Sequence, residues 1–232
     1  ILMETTFSRE SKHIRNYIAF FDLDQTIART ISGKALVRGA YRKGLLTGWD
    51  LIKAVFLSIA FRLKLKDPLK IIDDMVSWVE GIPEKTMIDL CSEVFRHVLA
   101  PSIYKEARSE IEIHKAKNAK VIILSSTLIT VCQEMAKNLG IDDIICTELE
   151  CRNGYLTGRP VGHLCFGEEK AVRLKEYCKK NNYLPSDAWY YGDSFADLAA
   201  LNSVGNPVCV NPDKKLKKTA ISRNWKIVSW NT

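Results

Sequence analysis

The chain has 232 residues, 47% of them apolar and 26% charged, which is enough to bury a full core and unlike a disordered chain. Seven scattered cysteines without a C-x-x-C pair fit reduced thiols in the cytosol better than a disulfide framework, and four histidines without zinc-like spacing argue against a zinc site. The net charge of +7 is concentrated: from Ala28 to Lys70, ten basic residues face only Asp50 and Asp67, so that segment carries any electrostatic role.

The amino end has no apolar h-region and no uncharged run reaches the length of a membrane span, so the expected location is cytoplasmic. Tyr17 to Leu23 is a short aromatic-rich run ending in acids, which predicts a buried strand with function at its carboxyl end. Residues from about Thr30 to Ala100 contain helical patterns and no strand-like run, and read as a helical insertion. Helices are predicted over 102–119, 128–139, 168–181 and 195–202. Strands are predicted over 120–124, 141–147, 188–191 and 207–210. Strands alternating with helices predict an α/β fold, a Rossmann-like doubly wound parallel sheet covered on both faces. Asn153-Gly154 between two short alternating runs predicts a hairpin flap.

Four features fall at predicted strand ends. Asp22 and Asp24, two residues apart, suit a hard cation and the roles of nucleophile and acid/base, although a turn or helix cap is an equally plain reading. Ser125-Ser126 ends an apolar run, where hydroxyls and amides suit a phosphate oxygen or simply cap a helix. Lys170 lies early in a predicted helix, a place usually taken by a solvated lysine. Gly192-Asp193-Ser194-Phe195-Ala196-Asp197 follows an apolar strand and sets two acids at a helix start.

In this order and spacing, FDLDQT, ILSS, Lys170 and GDSFAD resemble the four motifs of the haloacid dehalogenase superfamily, over nearly the whole chain. The helical insertion resembles the cap of its phosphoserine-phosphatase-like branch. The resemblance implies a catalytic core of residues 1–29 and 101–232 with a helical cap over 30–100. It implies a Mg²⁺-dependent phosphomonoester hydrolase passing through an aspartyl-phosphate, with Asp22 as nucleophile and Asp24 as acid/base. Ser125, Ser126 and Lys170 would bind phosphate. Asp22, Asp193 and the Asp24 backbone carbonyl would hold the metal, with Asp197 and Ser194 in support.

The substrate is expected from the insertion. No acid occurs from Ile27 through Trp49, where phosphoserine phosphatases carry one. Residues 49–65 form a helical pattern apolar nearly all round and flanked by basic residues. Such a helix either fills the insertion's core or contacts an anionic membrane. The membrane reading predicts a lipid phosphate substrate of phosphatidylglycerophosphate or phosphatidylinositol phosphate type. A small soluble ester of phosphoserine type, or phosphoryl transfer to an alcohol by the same site, are the alternatives. Nucleic acid is not an expected partner: Trp49 and Tyr41 are too few for a stacking platform.

Overall fold

A computed structural model describes residues 17–49 and 76–231. Apart from Trp49, the expected apolar helix over 49–65, together with Lys64 and Lys66, lies outside the described residues.

The centre of the protein is a six-stranded, wholly parallel sheet. Its strands are β1 (Ile18–Phe21), β2 (Lys120–Leu128), β3 (Asp143–Thr147), β6 (Trp189–Gly192), β7 (Asn206–Val210) and β8 (Lys226–Val228), in the order β3-β2-β1-β6-β7-β8. Every residue of β1 is buried, as expected of a strand covered on both faces. Side chains alternate between those faces. Ala19, Phe21, Val121, Ile123 and Tyr191 enter one apolar cluster, whereas Ile18, Phe20, Ile122, Leu124 and Tyr190 enter the other. Strand order reverses at β1, which pairs with β2 on one side and β6 on the other. An open parallel sheet has its ligand crevice at such a switch point, beyond the strands' carboxyl ends.

Two differences from the sequence reading stand out. Strand β2 does not stop at Leu124 but runs through Ser125, Ser126 and Thr127 to Leu128, with a register shift against β3 between Leu124 and Leu128. Buried Ser125 and Thr127 flank exposed Ser126, the alternation of a strand. The edge strand β8 was not anticipated; its three residues are too short for a periodic signal, and β7 provides the pairing.

The insertion contributes helices α1 (Ser32–Arg42) and α2 (Glu84–Val94). A Cβ on Gly39 would lie 2.9 Å from Leu90 Cδ1 and 3.0 Å from Val94 Cγ2, so glycine lets the two helices touch. Leu36 and Ala40 of α1, and Leu90 and Val94 of α2, join the same apolar cluster that covers one sheet face. The predicted hairpin is present as β4 (Leu149–Arg152) and β5 (Tyr155–Pro160). Asn153 and Gly154 both take positive φ, 51° and 82°, matching a two-residue hairpin turn. Backbone bonds from Gly81 to Leu156 and from Leu156 to Ile82 dock this flap onto the insertion.

Helices α3 (Lys105–Ala116) and α4 (Ile129–Leu139) carry the chain into and out of β2. Buried in α3, His114 takes part in a polar chain. The Tyr191 hydroxyl donates to Glu110 (2.6 Å), so His114 Nε2–H donates to the Tyr191 oxygen (2.8 Å). Nδ1 then accepts from the Tyr17 hydroxyl (3.0 Å). Neutral imidazole satisfies every partner. Burial, opposed by Glu110, lowers the His114 pKa to about 4 from the usual 6.5. The unfolded chain therefore binds a proton that the folded chain refuses. The stability that His114 contributes is complete above pH 6.5 and is lost toward pH 4, at about 1.4 kcal/mol per pH unit. Urea unfolding of wild type and His114→Gln at pH 7 and pH 5 is expected to show that slope as the change in the stability difference between the two proteins.

Candidate active site

The site lies at the switch point. The chain leaves β1 at Phe21, and Leu23 O closes a tight turn by accepting from the amides of Ile27 and Ala28. Asp22 and Asp24 stand on this turn and take different partners. Asp22 Oδ1 accepts from Lys170 Nζ at 2.8 Å. Half-buried Asp24 instead faces α1: Ser32 N–H donates to its Oδ1 (2.9 Å) and Ser32 Oγ to its Oδ2 (2.8 Å). Ser32 Oγ also lies 2.9 Å from Thr127 Oγ1, which accepts from Ser125 Oγ at 3.3 Å. A chain of hydroxyls thus links the insertion's first helix, Asp24 and β2.

Lys170 is not the solvated lysine its sequence context suggests. It sits in the first turn of α5 (Glu168–Lys180) with 3% exposure. Its ammonium also donates to Asp197 Oδ1 (2.6 Å) and to the Tyr190 hydroxyl (3.3 Å), while that hydroxyl donates to Asp197 (2.8 Å). Burial by itself would lower the lysine's pKa, but Asp197 and Asp22 overcome this and hold it well above its usual value. Asp197 is likewise held low: Lys170 outweighs its burial.

After β6 the loop turns on Gly192, where a Cβ would come 2.8 Å from the Asp197 side chain and 2.9 Å from Tyr190. Only hydrogen fits there. Ser194 and Asp197 form a capping box, with Ser194 N–H and Oγ both bonding Asp197 Oδ2. Asp213 anchors the loop from behind. Its amide donates to Asp193 O, and its carboxylate accepts from the Phe195 amide (2.8 Å) while capping α6 (Lys214–Ser222).

One oxygen each of Asp22, Asp193 and Asp197 lies within 4.8 Å of the others. When all three carboxylates are ionised, the one ammonium, which bonds Asp22 and Asp197, leaves two negative charges for one divalent cation to balance. Burial, then Asp22 and Asp197, pushes Asp193 up to about 8. Asp24 is raised to about 7 by burial and by Asp22, with Ser32 opposing. Such an all-oxygen set of carboxylates with excess negative charge fits a hard cation.

Every residue singled out from sequence therefore falls at one end of the sheet, with two qualifications. The Asp24 carboxylate is turned to Ser32 and stands outside the three-acid cluster, and Asp197 stands inside it. Ser125 is buried near Asp22, whose charged form it favours, and gives its proton to Thr127, whereas Ser126 is exposed. Sequence reasoning missed Gln25, Ser32, Thr127, Tyr190 and Asp213. Of these, Asp213 alone had a readable signal, an Asn-Pro-Asp stretch before a basic helical run.

The profile of the haloacid dehalogenase-like hydrolases matches residues 19–202. A probable phosphatase of Mycobacterium tuberculosis is 28% identical over 216 residues, covering 92% of this chain and 75% of the relative. A histidinol-phosphatase of Neisseria meningitidis is 26% identical over 221 residues, covering 92% and 98%. Among solved structures, a phosphoserine phosphatase carrying a phospho-aspartyl intermediate analogue superposes with a TM-score of 0.69 at 16% identity, covering 91% of this chain and 92% of that one. The family match and these relatives support an enzyme of the phosphoric monoester hydrolase class. The chain belongs to the haloacid dehalogenase-like hydrolase family, and its fold is that of the phosphoserine-phosphatase-like branch.

Proposed function

We propose that the protein is a Mg²⁺-dependent phosphomonoesterase working through an aspartyl-phosphate on Asp22. The observation that carries this is the buried cluster of Asp22, Asp193 and Asp197 beside Lys170 at the switch point of the sheet, with three carboxylates to one ammonium. Asp22 and Asp193, with the Asp24 backbone carbonyl, would hold the Mg²⁺, which when bound supplies positive charge beside the phosphoryl oxygens.

The protein's own groups account for the rest. Lys170 holds one Asp22 oxygen, leaving the other to attack phosphorus in line. The Asp22–phosphorus bond forms as the ester P–O bond breaks, and Asp24 gives its proton to the departing alkoxide. Asp24 then takes a proton from water as that water attacks phosphorus, releasing inorganic phosphate and restoring the Asp22 carboxylate. Ser125, Ser126 and Lys170 bind phosphoryl oxygens; Asp197 and Ser194 hold Lys170 and the loop. Residues 30–100 act as the cap that selects the leaving group, over the core formed by 1–29 and 101–232.

Two readings of that leaving group have support. Lys34, Arg38 and Arg42 are exposed at successive i, i+4 positions on α1, and no acid occurs from Ile27 through Trp49. A lipid phosphate at an anionic membrane surface fits that charge. No helix among the described residues is long and apolar enough to cross a membrane. The full-length alignment with a histidinol-phosphatase favours a small soluble ester instead. Initial rates on lipid phosphates in vesicles, phosphoserine, histidinol phosphate and sugar phosphates, each with Mg²⁺ or chelator, separate them. The phosphatase reading expects chelator-sensitive phosphate release from at least one ester. Selective turnover of the vesicle substrates supports the lipid reading, and turnover confined to soluble esters ends it.

A further inference from the structure

Six residues other than glycine have positive φ among the described residues, and five are asparagines. Asparagine tolerates the left-handed region because its short amide bonds the local backbone. The sixth is Gln25 at φ 59°, between Asp24 and Thr26. Its longer side chain has no such local compensation, and its exposure gives it no packing role. A strained backbone outside glycine persists where something else fixes it.

Gln25 Nε2 donates to Asp193 Oδ2 at 3.0 Å, across 168 positions of sequence. The ionised carboxylate that receives a cation only accepts, so the amide nitrogen is the group that faces it. This bond ties the turn after β1 to the loop after β6. Asp213 holds that loop by its backbone from the other side. The Asp193 carboxylate is thereby held through Oδ2, and it keeps an oxygen within 4.8 Å of those of Asp22 and Asp197.

We propose that Gln25 is a positioning residue for Asp193, holding its carboxylate in the orientation that receives a divalent cation and accepting an unfavourable backbone to do so. The inference rests on the metal-dependent reading of the site. Partners that orient a ligand from behind typically alter metal affinity about 10–100-fold when removed. The left-handed backbone is tolerated best by glycine, so Gln25→Gly relieves strain while removing the tether.

Calorimetric Mg²⁺ titration and thermal melting in chelator test this without reference to turnover. Gln25→Gly is expected to melt about 2–4 °C higher than wild type without metal and to bind Mg²⁺ about tenfold more weakly. Gln25→Asn keeps the amide and tolerates the left-handed backbone, but its arm is one methylene shorter and does not reach Asp193. It is expected to lose affinity as glycine does. Wild-type Mg²⁺ affinity in either variant would overturn the inference and leave the phosphatase reading intact. A wild-type protein that binds no Mg²⁺ would overturn both.

Discussion

Asp22→Asn is expected to reduce phosphate release by about 10⁴-fold or more while leaving the fold intact, because the amide cannot form the acyl phosphate. Phosphoenzyme trapped from the wild-type reaction should be absent from this variant. Stability should not fall with activity. Burial raises the Asp22 pKa against the pull of Lys170, with Asp197 also disfavouring the charge, so its carboxylate is a burden on the metal-free protein. Removing one negative charge from the three-acid cluster leaves Lys170 its bonds to Asp197 and Tyr190. Melting in chelator is therefore expected at or above the wild-type temperature. A variant that turns over at the wild-type rate would remove the proposed mechanism altogether.

Lys170→Met is expected to damage both activity and stability. The wild-type ammonium is 3% exposed and bonds Asp22 and Asp197 directly. Methionine fills a similar volume but leaves these carboxylates buried without a cation, and breaking a buried pair in this way costs about 3–5 kcal/mol. Urea unfolding in chelator should show that loss, and Mg²⁺ should restore part of it. Adding Asp197→Asn removes one orphaned charge and should recover much of the stability, yet the double variant should stay inactive. Unchanged urea stability in Lys170→Met would mean that the cluster is not held together by its charges.

These contrasts show where sequence sufficed. The short apolar runs ending in acids or hydroxyls placed β1, β2 and β6, since a parallel strand buried on both faces needs such a run. Their alternation with helices implied the sheet, and Asn153-Gly154 implied the flap. The acids Asp22, Asp24, Asp193 and Asp197 were legible because their spacing and strand-end positions recur in one family.

Tertiary structure alone decided what each of those groups touches. Lys170 reads as a surface lysine in its own helix and is buried because its side chain reaches Asp22 after β1, Tyr190 of β6 and Asp197. Asp24 was grouped with Asp22 by their two-residue spacing. Its carboxylate is claimed by Ser32, eight residues on, because the turn after Phe21 ends the extended chain and α1 begins beside it. Gln25 and Tyr190 carry no local signal, as Gln25 meets Asp193 168 positions away and Tyr190 meets Lys170 and Asp197 20 and 7 positions away. Local sequence determines which residues favour a strand end, a cap or a buried face. Which carboxylate meets which donor depends on the crossover connections that bring separate strand ends together, and no single segment encodes that.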